Sequence, residues 1–343
     1  MYKKFFMGIA AMAALTLVSC SSDDLNSFSD NSSKNEAISF DGYLGRSAVA
    51  VNGSRGSVET KDQLKTDGFG VFGKYTPTEG QASNLFDNQK VTYSTSTTPT
   101  ESKWTYENTK YWPTEGHIDF LAYAPYVEET TLKNNKSIDF TVEGEVAKQK
   151  DLLWANAANK KKADNPVKFT FNHALAKIGY TVKLKEAYSN ATITLNKITL
   201  AGSADGKTSA FYTSGTIDLS KTSSTDLWTT LSSDAKQNFN LFSGTQKLDG
   251  TYNTPETNYL FVIPQNFSAP ATDELYVIVE YTIKYSGGSE TVTTTNIVNK
   301  KLEKNFEQGK AYTINLTIGL TPIDFDADVT AWADGGKEDI TWD

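Results

Sequence analysis

Arg46 and Arg55 are the residues most able to direct chemistry here. They are the only two arginines in a chain with 33 basic side chains. Both lie in GRSAVAVNGSRG, residues 45–56, among small residues. A protease must draw its substrate into an extended shape, and segments of this composition yield readily. An arginine-specific endopeptidase would cut after Arg46 or Arg55 and spare the lysine-rich remainder. Cys20 is the second reactive position and the only cysteine, so no intrachain disulfide is possible. It follows Lys3, Lys4 and the apolar residues 5–18, a stretch too short to span a bilayer comfortably. Leu17-Val18-Ser19-Cys20 resembles a bacterial lipobox, whose cysteine is lipidated after cleavage. Each buried CH₂ contributes about 0.8 kcal/mol, so more than one acyl chain on Cys20 makes a stable anchor. Residues 1–19 read as a signal peptide, and the Ser-, Asn- and Asp-rich residues 20–36 as a lipidated tether.

Other constellations point away from catalysis. GFGVFG, residues 68–73, has dinucleotide-loop spacing but reads as a turn entering a strand, with no helix to follow. His117 and His173 lack Cys, Asp or Glu at ligand spacing, so both read as structural and no metal is expected. No nucleophile motif is legible, and no carboxylate pair stands out from the others for hydrolysis. Asp324, Asp326 and Asp328 alternate along a strand and read as a solvated face. Trp104, Trp112 and Trp154 read as packing, with a sugar-stacking platform as the alternative. The net charge of −8 argues against a nucleic-acid partner. The reading is a protein that is not an enzyme and uses no cofactor.

The elements that position these residues are strands. Apolar and polar residues alternate at Ile38-Phe40, Val71–Tyr75, 117–126, Val167–Phe171, Tyr180–Leu184, 191–200, 275–283 and 311–318. The run Ile323-Phe325-Ala327-Val329 ends the series, followed by Trp332. Helical period is confined to Asn172–Ile178. Segments 203–225 and 284–292 read as surface loops. About 300 residues after the tether suggest two domains. KEAYSN, residues 185–190, interrupts the strand pattern, giving an all-β fold of two sandwiches, 37–188 and 189–343.

Four blocks then carry a family resemblance. They are TDGFGVFGKYT with FDNQKVTY; WTYENTKYWPTEGHIDFLAYAPY; DLLWANA with VKFTFNHALAKIGYTV; and QGKAYTINLTIGL with FDADVTAWADGG. In this order they resemble the fimbrillin-like proteins of Bacteroidetes, and the likeness is weakest at 203–250. Ser21-Ser22-Asp23-Asp24 also resembles the acidic export signal of Bacteroidetes lipoproteins. The resemblance implies two tandem transthyretin-like sandwiches in an outer-membrane lipoprotein precursor that becomes a type V pilus subunit at the cell surface. It implies processing by an arginine-specific surface protease after Arg46 or Arg55. That cut releases the lipid and a first strand carrying Ile38 and Phe40, and a strand from another pilus subunit fills the groove.

Stripping a first strand exposes unpaired N–H and C=O groups and an apolar cleft, and a donor strand restores both ladder and core. About five apolar side chains would contribute roughly 10 kcal/mol before ordering costs. The run Ile323, Phe325, Ala327, Val329 with Trp332 has the alternation a donor needs. It is equally suited to be the last permanent strand of the second sandwich. The alternative function is a monomeric, surface-exposed glycan-binding lipoprotein, which keeps its lipid and first strand and binds sugar through exposed tryptophan.

Overall fold

Alternating apolar residues make one-faced strands, and a curled sheet in the first half buries those faces. The computed structural model describes residues 36–44, 59–95, 104–223, 226–232, 235–251, 259–268, 273–286, 291–320, 324–331 and 337–338. The signal peptide, Cys20, Arg46, Arg55, Ile323 and Trp332 lie outside them.

The first half contains β1 (Phe40–Leu44), α1 (Lys61–Asp67), β2 (Phe69–Thr76), β3 (Ser83–Tyr93), β4 (Trp104–Thr105), β5 (His117–Ala124), β6 (Ser137–Thr141), β7 (Leu153–Lys160) and β8 (Val167–His173). Among the described residues, seven of these strands form one sheet in the order β1-β8-β7-β5-β2-β3-β4. Its flanks curl towards each other, so that Gly42 of β1 approaches the Trp104 ring of β4. The enclosed core includes Ile38, Phe40, Phe69, Phe86, Phe120, Phe169 and Phe171.

The second half contains β9 (Ala176–Leu184), β10 (Ala191–Ala201), β11 (Phe211–Tyr212), β12 (Ser214–Asp218), β13 (Trp228–Leu231), β14 (Lys236–Gln237), β15 (Phe239–Lys247), β16 (Leu260–Val262), β17 (Gln265–Asn266), β18 (Tyr276–Ser286), β19 (Thr291–Lys301), β20 (Asn305–Phe306), β21 (Lys310–Ile318), β22 (Asp324–Ala331) and β23 (Lys337–Glu338). Two sheets, β15-β10-β18-β19 and β16-β9-β21-β22-β23, supply residues to a second core. Ile193, Ile198, Val279 and Ile283 from one sheet join Ile178, Val182, Ile314 and Leu316 from the other. This is a β-sandwich built on period-two alternation.

The halves interlock. β6, from the connection between β5 and β7, pairs antiparallel with β12 of the second half. Phe72, Tyr123 and Trp154, from three strands of the first sheet, belong to the second core. The Asn156 amide donates to the Leu219 and Lys221 carbonyls.

Three expectations change. Asn172–Ile178 is not helical: β8 ends at His173, β9 begins at Ala176, and Ala174 and Leu175 between them are fully buried. Every side of the chain is buried where it passes between two cores, so period carries no information there. Sheet membership changes at residues 174–175, and KEAYSN instead connects β9 to β10, which face each other in the second sandwich. Segment 203–225 contains β11 and β12, and 284–292 includes the end of β18 and the start of β19.

Among the described residues, the α-helix that forms is α1. Thr60 caps it, its Oγ accepting from the Gln63 N–H at 3.1 Å, and Gly68 ends it at φ 70°. A Cβ at Gly68 would stand 2.5 Å from the Val91 carbonyl oxygen, so glycine is required. GFGVFG is thus the C-cap Gly68 of a helix followed by the first five residues of β2, helix before strand, the reverse of a dinucleotide-binding loop.

Candidate strand-exchange site

β1 runs parallel to β8, with Phe40 opposite Val167 and Leu44 opposite Phe171. Ile38 and Phe40 are each 1% exposed, whereas Tyr43 is 44% exposed. The strand is therefore held by one face. Phe40 sits among four rings, with centroids 5.4 Å from Phe86, 5.4 Å from Tyr106, 5.6 Å from Phe120 and 5.7 Å from Phe169. Edge-on and offset contacts of this kind add about 0.5–1.5 kcal/mol each beyond burial. Leu44 packs against the same core, partly buried.

The approach to β1 is fixed by polar contacts. The Ile38 N–H donates to the Lys110 carbonyl at 2.8 Å, and the Tyr106 hydroxyl donates to the Ile38 carbonyl at 2.7 Å. Burial pushes the Tyr106 phenol above its ordinary value, so it remains a donor at neutral pH. Asn165 works as a clamp. Its Oδ1 accepts from the Ser39 N–H and Oγ at 2.9 and 3.0 Å, and its Nδ2 donates to the Ala37 carbonyl at 3.1 Å.

β1 joins the rest of its sheet in sequence only through residues 45–58, the segment that carries Arg46 and Arg55. Leu44 ends the strand two residues before Arg46, and Glu59 is the first described residue beyond the segment. A cut after either arginine would leave β1 attached by non-covalent contacts alone.

Glu59 enters the seam between the two halves. It is fully buried, and its carboxyl faces the acidic side chains of Asp67 and Asp151. Burial, reinforced by Asp67 and Asp151, pushes its carboxyl up to about 9, so it is protonated at neutral pH. Asp151 is also fully buried and holds His173 Nδ1 at 2.5 Å. His173 is thus a structural residue of the seam, and Lys177 follows it, its Nζ 3.6 Å from the Tyr259 ring centroid. Burial lowers Lys177 to about 8. His117 instead lies 3.6 Å from Asp119 near the surface.

The candidate donor residues Phe325, Ala327 and Val329 lie in β22. They stand in register with the buried Leu316, Ile314 and Tyr312 of β21. β22 is thus hydrogen-bonded within its own chain, and β23 pairs with its far side at Val329 and Thr330. Asp324, Asp326 and Asp328 stand opposite Thr317, Asn315 and Thr313. Trp104, Trp112 and Trp154 are 6, 3 and 3% exposed, so they form no stacking platform. Among the described residues, no helix is long and apolar enough to cross a membrane, and no group of three His, Cys, Asp or Glu is placed to hold a metal.

The buried face of Ile38 and Phe40 is legible in the sequence, whereas the contacts of Tyr106 and Asn165 are not. The capping pair Thr60-x-x-Gln63 was the legible signal for α1.

A family profile described as fimbrillin-like matches residues 57–332. A fimbrial protein from Bacteroides vulgatus is similar in structure, with a TM-score of 0.63 and 21% identity over 86% of this chain and 99% of that one. A fimbrial assembly protein from Parabacteroides distasonis aligns over 89% and 99% of the two chains, at 14% identity and a TM-score of 0.42. A C-terminally truncated tip fimbrial protein from Porphyromonas gingivalis aligns over 81% and 97%, at 10% identity and a TM-score of 0.38. No curated protein sequence matches the chain.

Proposed function

The chain belongs to the fimbrillin-like family, and we propose that it is a structural, non-enzymatic pilus subunit assembled at the cell surface by donor-strand exchange. In this reading it is exported as a lipoprotein anchored to the outer membrane through Cys20. An arginine-specific surface protease cuts after Arg46 or Arg55. β1 then leaves with the lipid, uncovering the β8 edge and the ring of Phe86, Tyr106, Phe120 and Phe169. An apolar-alternating strand from a neighbouring subunit fills the groove, and the run Ile323, Phe325, Ala327, Val329 with Trp332 is the candidate donor. The filament supports adhesion.

One observation carries the reading. The strand that fills the first core with Ile38 and Phe40 is joined to the rest of that core only through the segment holding every arginine in the chain. Replacing Phe40 by an equivalent donor residue restores a burial worth about 1.5–3 kcal/mol, besides the ring contacts. A donor that docks in an existing groove dissociates slowly because many such contacts must break together.

The test is the mature N-terminus of protein taken from the cell surface, read with the polymer ladder on unboiled gels. The expected result is a start at Ser47 or Gly56, no lipid, and a ladder that the double variant Arg46→Lys/Arg55→Lys abolishes. Lipid on Cys20 in every molecule, with a ladder unchanged in the double variant, would overturn it.

The glycan-binding alternative keeps one observation in its favour. A cleft of about 350 Å³ opens on the first sheet, lined by Phe72 and Leu121 with Asn84, Asp87, Asp119 and Asn135. Its lining combines an apolar floor with amide and carboxylate partners for hydroxyls. Saccharide binding by an uncut, lipidated monomer, lost in Asp119→Ala, would favour that reading.

A further inference from the structure

β19 is the outermost strand of the sheet β15-β10-β18-β19, and among the described residues nothing pairs with its outer edge. It is eleven residues long and matches β18 from Thr291 to Lys301 without a register shift. From Thr291 to Asn299 it reads TVTTTNIVN, with no charge, proline or glycine. Val292 is 54% and Ile297 66% exposed. Proteins normally guard such an edge with charges, bulges, proline or a short strand. The opposite edge of the same sheet is guarded in that way: β15 contains Gly244, and its pairing with β10 shifts register twice.

We infer that β19 is an interface that pairs antiparallel with β19 of a second copy of this chain, about a two-fold axis at Thr295. That register sets Val292 against Val298, Thr293 against Ile297 and Thr294 against Asn296. β-Branched pairs of this kind are favourable across strands. Charge selects the direction. Lys300 and Lys301 end the strand, so antiparallel pairing holds the lysines of the two copies at opposite ends, whereas parallel pairing in register stacks lysine on lysine. The uncharged middle offers a foreign partner little to recognise, but a two-fold pair needs no complementary charge. The result is a continuous eight-stranded sheet across two copies, an isologous contact.

This contact needs no cut and no exchanged strand, so its test leaves the processing reading untouched. The full chain carrying Cys20→Ser receives one new cysteine at a time on the exposed strand. Directly opposed residues bring their Cα atoms within about 4.5–5.5 Å, inside the range of a disulfide. Thr295→Cys alone should form a disulfide-linked dimer under mild oxidation. Thr291→Cys alone and Asn299→Cys alone should not, whereas a mixture of those two should cross-link as a heterodimer. In sedimentation, Thr295→Lys should weaken dimerisation at least tenfold, because it sets lysine against lysine on the axis. A chain that stays monomeric at all concentrations would overturn the inference. So would equal cross-linking at all three single positions, which would mark unspecific contact.

Discussion

β1 ends the first sheet, and β22 lies one strand in from the end of the five-stranded sheet. They differ in how much backbone pairing holds them. β1 has five register pairs with β8, and its hold comes from one buried face, centred on Phe40, and from the Asn165 clamp. β22 has eight register pairs with β21 and two more with β23, twice the backbone pairing of β1. A strand fixed by a few side chains leaves a shaped groove when removed. Removing a strand with a longer ladder breaks more backbone hydrogen bonds.

The sharpest way to break this comparison is Phe40→Ala. Deleting a fully buried ring among four others should cost about 3–5 kcal/mol, read by urea unfolding, and should loosen β1 without altering the second sandwich. A cost under about 1 kcal/mol would show that the β1 ladder, and not its face, holds the strand. The converse variant is Ala327→Pro. It removes an N–H from the β22 backbone at the position opposite Ile314 of β21, and should cost about 1–3 kcal/mol. Hydrogen exchange should then rise in β21 and β22 while β8 keeps its protection. Equal loss of protection in both sheets would mean that the strands are not held independently.

Much of this contrast is legible in the sequence, for a physical reason. Val167, Phe169 and Phe171 alternate with exposed residues because β8 has one wet face, and Ile38 and Phe40 follow the same rule. Period fails where both faces are covered, as at the start of β9, where Ala176, Lys177 and Ile178 are all buried. It also fails for polar strands such as β12, which is strand because β6 pairs with it. α1 is only seven residues long and buries Leu64 alone, too little for a periodic signal. The site is half legible for a similar reason. Its apolar face can be read locally, but Tyr106 reaches Ile38 from 68 residues away, and Asn165 reaches Ser39 from 126. Such contacts exist only once the sheet has closed.

Glu59, the first described residue after the arginine segment in sequence, gives a separate handle through its proton. Its carboxyl sits at about 9 in the folded chain against an ordinary 4.5, with burial as the main cause and Asp67 and Asp151 adding to it. The folded state therefore binds this proton more tightly than the unfolded state. The associated stability is fully present below about pH 4.5 and is lost as pH rises towards 9, by up to about 1.4 kcal/mol per pH unit. Glu59→Gln stays neutral throughout. Its stability curve should be flatter over this window, and the variant should gain on the parent between pH 7 and 8. Urea unfolding at each pH reads the difference, and parallel curves would show that Glu59 is not the group titrating at the seam.

The smallest effect is expected at Tyr43, on the same strand as Phe40. Its ring points to solvent, and its hydroxyl donates to the Asp41 carboxylate two residues away. The neighbouring carboxylate raises the phenol pKa, but an exposed bond between side chains of one strand fixes nothing across the sheet. Water replaces it when the hydroxyl is removed. Tyr43→Phe should therefore change stability by less than about 0.5 kcal/mol and leave the rate at which β1 departs after cleavage unchanged. A tenfold faster departure in this variant would mean that the outward face also anchors the strand, and the one-faced account of the groove would have to be given up.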